Sequence, residues 1–474
     1  MPNNTNPSAG WERYKPSETA PWNRQRVVHL HRRAAFAATW DEIDRDIDDG
    51  PEKAVDRLLS GTARASTAGH VGESLRDSQS ASRRDATTWT DFDSMARIIG
   101  DAACASNDPV RLKAWWLYRM LFSADPLRER LTLLWHNHFA TSNRKVLDLV
   151  AMREQNELLR QHALGPFGEL LSAVVKHPAM LVWLDADSNR AGHANENLAR
   201  ELMELFTLGI GHYAESDVES AARALTGWTI ADKAYRFDSN RHDDHELSVL
   251  GHRGRMTGDD LLDLLMQNPA TARRVVWRLS TLFFGEGAIT DSALDALAGE
   301  LHERKLDIGW AVETMIRSRR FFADENIAAR ILGPAEFIVG TLQALEQCQP
   351  PPSTVLLAEW ATRMGQDLFY PPNVGGWSEG RSWLSSRAVI ARANFVSGLA
   401  DGQLWNSGQK PDLQRIAKGA DLRETVQRFA ELVFVRPPSS AVAAAVAAAH
   451  NKDDKDRLST ALASLLTNPE AQLA

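Results

Sequence analysis

Apolar residues recur every three or four positions along most of this chain, and many of the runs open on a helix-start signal. Residues 25–36 read as a helix. Thr39-Trp40-Asp41-Glu42 is a capping box that opens a second one, and Pro51 takes the first position of a third. Helices are predicted over 108–122, where Leu112, Trp115, Trp116 and Met120 line up, and over 126–139, 146–162 and 167–175. The central stretch adds 194–208 and 216–228. Residues 229–254 then turn polar and irregular, with room for short strands. Helical periodicity returns over 258–266, 269–284, 292–304, 308–317, 333–345 and 354–364, and again in the Ala-rich end, 421–473.

The fold class that follows is mostly α: a multi-helix assembly with a few short irregular or β segments in the central region. Residues 1–24 read as a loose arm and 25–400 as one helical domain. Within it, 61–87 form a surface loop rich in Ser, Ala, Arg, Gly and Asp. Residues 401–474 are expected to pack as a helical segment on the same core. No convincing repeat is present.

Composition narrows the class. The chain has 474 residues, 43% hydrophobic and 24% charged, with a net charge of −8, so no basic excess points to nucleic acid. The densest basic patch, Arg317-Ser318-Arg319-Arg320, is too short to change that. Two cysteines, Cys104 and Cys348, make neither a disulfide framework nor a CxxC metal motif. No apolar run reaches the roughly 18 residues of a membrane span. The polar start lacks the apolar core of a signal peptide, which predicts a soluble, cytoplasmic chain. The 15 tryptophans are expected mainly in cores.

Candidate chemistry concentrates between Trp135 and Gly251. His136 and His138 flank Asn137. On a helix, Leu127, Leu131, Leu134 and His138 share one stripe and His136 points away, so both ligate one ion only if the helix ends or distorts there. Further on, Glu196, Arg200 and Glu204 are spaced four apart, a carboxylate–guanidinium–carboxylate ladder. Exposed, such a ladder is a solvated face; buried, it suits a polar ligand or proton transfer. Ser216 with Glu219 reads as a capping box, leaving Arg223 and Trp228 for a ligand. Arg241-His242-Asp243-Asp244-His245-Glu246 carries consecutive oxygen and imidazole donors of the kind that hold Zn, Mn or Fe, without the helical HExxH context. Residues 365–377, ending PPNVGGW, form a rigid non-helical loop. No Walker A, Rossmann fingerprint or nucleophile elbow occurs.

These segments, in this order, resemble the bacterial domain-of-unknown-function-1800 family. The longest match is NENLARELMELFTLGIGHYAESDVESAARALTGW, Asn195 through Trp228. HLHRRAAFAATWDEI from His29, WHNHFATS from Trp135, HDDHELSVLG from His242 and PPNVGGW from Pro371 are similar to family segments too. The likeness runs from about residue 25 onward. It implies a mostly helical fold without an agreed activity. Many relatives look exported, and their genes often lie beside one for a sulfatase-like secreted protein, which the resemblance suggests as a partner. This chain departs in showing no leader and in carrying Leu247 where relatives often have Lys.

Two functions are expected from this reading. The first is a metal-dependent hydrolase or oxidoreductase. Glu196, Arg200, Glu204 and Arg223 would be its catalytic set, and His138, His242 and Asp243, with His136 and His245, would hold a divalent metal. The second is a non-catalytic binding or assembly protein that acts with a partner protein.

Overall fold

The computed structural model describes residues 10–62, 92–346, 348, 350–405, 412–417, 421–450 and 452–474. The loop expected over 61–87 falls almost wholly outside them. The architecture is mostly α, with short β segments confined to the central region. The helices up to that region are α1 (Arg24–Ala34), α2 (Trp40–Asp49), α3 (Pro51–Leu59), α4 (Phe92–Ala105), α5 (Pro109–Phe122), α6 (Pro126–His138), α7 (Asn143–Val146), α8 (Leu149–Gln161), α9 (Phe167–Val175), α10 (Pro178–Trp183), α11 (Asn197–Glu201) and α12 (Glu215–Ala224). Two antiparallel hairpins follow, β1 (Trp228–Ala231) with β2 (Ala234–Phe237), and β3 (Leu247–Val249) with β4 (His252–Gly254). Beyond them run α13 (Gly258–Gln267), α14 (Pro269–Phe283), α15 (Asp291–Glu303), α16 (Ile308–Arg317), α17 (Pro334–Ala344), α18 (Thr354–Arg363), α19 (Ser386–Ala400), α20 (Gln414–Ala417), α21 (Leu422–Val433), α22 (Ser439–His450) and α23 (Asp454–Leu466). Among the described residues no helix is long and apolar enough to cross a membrane.

The start signals act as expected. Thr39 and Glu42 bond reciprocally at the head of α2, and Pro51, Pro109 and Pro269 each sit in a first turn, where a missing N–H costs nothing. One cap differs. The helix after Tyr213 starts at Glu215, and it is the Asp217 carboxylate, not Glu219, that reaches back to the Ala214 N–H at 2.8 Å.

Two compact units emerge. The first gathers Leu131–Met315, Phe369–Trp377 and residues 10–13. Trp135, Phe139, Phe167, Phe206, Trp228 and Phe283 form its fully buried aromatic core. Trp11 packs edge-on to Phe284, and its indole N–H donates to the Ala293 carbonyl at 3.0 Å. The start of α9 is tied to the loop before α16 by Phe167 N–H to Leu306 C=O at 2.9 Å.

The second unit gathers Tyr14–Arg130, Ile316–Leu368 and Ser378–Ala474. Its core buries Phe36, Trp115 and Trp116 together with an unusual amount of charge. Glu336 is buried, accepts from Arg130, Arg330 and the Gly333 N–H, and is held at about 2 although burial alone would raise it. The HLHRR segment is spent on this core. His29 bonds the Phe321 carbonyl at 3.0 Å, and His31 bonds Asp46 at 2.7 Å. Arg32 and Arg33 donate to the backbone carbonyls of Ala471 and Asn326. Trp40 lies between the guanidinium groups of Arg24 and Arg428, at 4.1 and 4.2 Å. Cys104 and Cys348 are both half-buried.

Candidate functional site

The sequence-predicted site residues all fall in the first unit, which separates them into three neighbourhoods.

The first is the helix that follows Asn195. It starts as α11 and then widens into a π-helical segment, Leu202–Thr207. Leu208 N–H reaches the Met203 carbonyl five residues back, and the buried Thr207 hydroxyl donates to Leu202 C=O at 2.6 Å, the same spacing. The carbonyls left at the wide end are taken by side chains. His138 Nε2–H donates to Phe206 C=O at 3.1 Å, and Arg274 Nε donates to Leu205 C=O at 3.1 Å. Single π turns of this sort cost backbone regularity and gather at functional sites.

The widening changes which side chains meet. The ladder of Glu196, Arg200 and Glu204 is not assembled as an ideal helix would have it. Glu196 is the exposed N-cap of α11. Arg200 forks onto the exposed Glu215 of α12, with Nη1 at 2.9 Å. Glu204 instead accepts the Tyr213 hydroxyl at 2.9 Å. Glu201, half-buried beside Glu204, has its carboxyl held above the usual range by burial and by the Glu204 charge, against the opposing pull of Arg200. Burial, helped by the bond to Glu204, pushes the Tyr213 phenol up to about 12. Arg274, stacked on Trp277 at 4.5 Å, brings its charge near Glu204 as well.

The second neighbourhood centres on Asp243. This carboxylate is 9% exposed and accepts from Arg223 Nε at 2.7 Å and from His245 Nδ1 at 2.7 Å. The Arg223 bond, with His245 adding to it, holds Asp243 well below the usual carboxylate range against the cost of burial. Its own N–H donates to Thr226 Oγ1 at 2.7 Å. His242 is turned away, its Nδ1 on the Thr226 carbonyl at 3.0 Å and its ring against Phe237. Asp244 pairs with Arg255 and Glu246 with Arg253. Consecutive donors therefore face different partners.

The third joins the WHNHFATS and PPNVGGW segments. Every side chain from Leu131 to His138 is buried, so α6 has no solvent face there. His136 lies stacked on Trp377, centroids 5.6 Å apart and planes at 17°, with Phe369 edge-on. Burial lowers its pKa to about 3. His138 sits among Trp135, Phe139, Phe167 and Phe206, and burial together with the Arg274 and Arg278 charges holds it well below the usual imidazole range. Both imidazoles are thus neutral inside the fold, in different surroundings. Asn137 clasps the loop, accepting Trp377 N–H at 2.6 Å, while Asn143 Nδ2 donates to the Tyr370 hydroxyl at 2.8 Å.

A family model described as a protein of unknown function, DUF1800, matches residues 29–473. The chain belongs to this family. No curated protein and no solved structure matches it.

In this DUF1800 chain no group of three or more His, Cys, Asp or Glu side chains is arranged to hold a metal ion among the described residues. The expected ligands His136, His138, His242, Asp243 and His245 are distributed over two neighbourhoods and mostly occupied by hydrogen bonds or ring contacts. What the first unit does bring together is Glu201 and Glu204 one helical turn apart, Tyr213 on one of them, and Arg274 alongside. Glu201 lies outside the ladder of Glu196, Arg200 and Glu204 read from the sequence. Its only signal there is the three-residue spacing to Glu204. Arg274 had no sequence signal at all, because it arrives from α14.

Proposed function

We propose that this chain is an acid–base hydrolase whose centre is the Glu201–Glu204 pair on the π-helical segment. The observation that carries the reading is the asymmetry of the pair. Glu201 is half-buried, with its carboxyl held above the usual range by burial and by the Glu204 charge, whereas Glu204 is the acceptor of the Tyr213 hydroxyl. Two neighbouring carboxyls in unequal surroundings supply an acid and a base at the same pH. Glu201 gives its proton to the leaving-group oxygen as the scissile bond breaks. Glu204 takes a proton from the attacking water, whose oxygen forms the new bond. Arg274 lies where it balances charge that develops near Glu204. Arg200 and Arg223 are assigned to structure, through Glu215 and Asp243.

The test is hydrolysis of a panel of p-nitrophenyl esters, phosphates and glycosides by the purified chain. Glu201→Gln and Glu204→Gln are each expected to lower kcat/KM by about 10²–10⁴-fold, the usual weight of a general acid or base, with unchanged Tm. Turnover that both variants retain overturns the proposal.

A second reading is favoured by a separate observation: Arg200, Arg223, Asp243 and His138 are all engaged in internal pairs. It makes the chain a non-catalytic binding protein for a sulfatase-like partner encoded nearby. Co-purification of the two proteins, with no hydrolysis by wild type, supports it over the first.

A further inference from the structure

Three large apolar side chains lie exposed close together in the second unit. Leu384, on the 3-10 turn Gly380–Leu384, is 40% exposed, and Val389 and Ile390, at the start of α19, are 48% and 61% exposed. Singly each is ordinary; together they make a patch. The face they open runs the length of α19. At 100° per residue, Phe395, Val396 and Leu399 point into the core. The outward arc holds Ser386, Val389, Ile390, Ala393, Ser397 and Ala400, with Arg387 and Asn394 along one flank. No carboxylate stands on it before the cap residue, Asp401.

The two charges are placed against their own helix. Arg387 sits in the first turn, where the helix dipole favours anions, and Asp401 at the C-cap, where it favours cations. Both are exposed, and among the described residues neither has an ion partner. Each lacks what the other end of the same face carries. A second copy of α19 laid antiparallel on this one, about a twofold axis between Ala393 and Asn394, supplies it. Arg387 then meets the partner's Asp401. Val389 meets the partner's Ala400 and Ile390 the partner's Ser397, large against small, and each pair falls on the same flank of the arc. The small Ala393 at the centre lets the two backbones approach. An anionic bilayer fits less well, because it gives Arg387 a counter-charge but sets Asp401 against like charge.

We infer that the exposed face of α19 is the contact between two copies of this chain, packed antiparallel about a twofold axis. The face is about 22 Å long and falls short of the roughly 800 Å² per partner of a stable interface, so the dimer is weak, with a Kd of about 10–100 µM. Sedimentation velocity of the full chain across roughly 1–500 µM, which brackets that Kd, tests it. The wild type is expected to pass from monomer to dimer. Ile390→Glu, Arg387→Asp and Asp401→Arg are each expected to weaken association by about tenfold or more, with the Tm of the dilute wild type unchanged. The decisive sample is a mixture of the Arg387→Asp and Asp401→Arg chains. It puts opposite charges together at both ends, so the heterodimer is expected to form although each variant alone associates weakly. A chain that stays monomeric throughout, a dimer that Ile390→Glu leaves intact, or a mixture no tighter than its components overturns the inference. Vesicles of equimolar phosphatidylcholine and phosphatidylglycerol test the other occupant. A monomeric wild type that floats with them, and an Ile390→Glu chain that does not, overturns the dimer and makes the patch a bilayer contact.

Discussion

Asn137 occupies the space that a side chain at Gly376 would need. A Cβ built on Gly376 falls 2.5 Å from the Asn137 carbonyl oxygen and closer still to its carboxamide, and the glycine has φ 84°. The same carboxamide accepts the next residue's N–H, from Trp377, whose ring then stacks on His136. One glycine thus lets a loop from far along the chain seat against the end of α6.

Gly376→Ala is therefore expected to destabilise the chain by about 2–3 kcal/mol, combining left-handed strain with a clash against backbone. Urea unfolding followed by tryptophan fluorescence measures it. An unchanged midpoint would mean that the loop is not held by this contact.

Acid is expected to weaken the fold from near pH 6.5 downward. An unfolded imidazole takes its proton near 6.5, whereas burial holds folded His136 to about 3 and His177 to about 4, with His29 and His138 also well below the usual range. Between those values the unfolded state binds more protons, so these groups' contribution is present above pH 6.5 and lost as pH falls. Each such histidine contributes a slope of up to about 1.4 kcal/mol per pH unit. Urea midpoints at pH 7, 6 and 5 should fall steadily. His136→Phe, which keeps the stacking, should flatten the dependence by up to one proton.

Glu336→Gln is expected to cost about 3–5 kcal/mol, because it leaves Arg130 and Arg330 buried without their carboxylate. In the wild type this group adds a second, lower window of acid sensitivity. Its folded value is about 2 against an ordinary 4.5, so its contribution is present above 4.5 and fades as pH falls toward 2. Thermal melts of the variant read the loss directly.

Arg200→Ala and Asp243→Asn should separate in their effects. The Arg200–Glu215 bridge is exposed, and its loss is expected to cost under about 1 kcal/mol. Asp243 is buried and holds Arg223 and His245 together, so Asp243→Asn is expected to cost about 1–3 kcal/mol. Hydrogen exchange should rise in residues 241–247 of the second variant alone.

Much of the helical skeleton was legible in the chain. The capping box at Thr39, the prolines at 51, 109 and 269, and the polar turn from 229 to 254 act locally, through a residue's own backbone and its nearest neighbours. The site was legible only as a region. The helical wheel assumes a uniform 100° step and one dry face, and both assumptions fail here. The π segment breaks the step at Leu202, between Arg200, which pairs with Glu215, and Glu204, which accepts from Tyr213. Around His136 and His138 α6 is buried on every side, so opposite faces of the wheel both point into protein.

By itself the sequence determined where helices begin, that the chain is mostly α, and which stretch concentrates polar chemistry, because propensity, capping and period act over a few residues. Tertiary structure alone decided which of those polar groups meet. Arg274 and His138 cap the π segment from other helices, Trp377 covers His136 from more than 200 positions away, and burial beside Glu204 raises the Glu201 carboxyl above its usual range. Desolvation and long-range hydrogen bonding depend on neighbours brought together by the fold, and no local pattern encodes them.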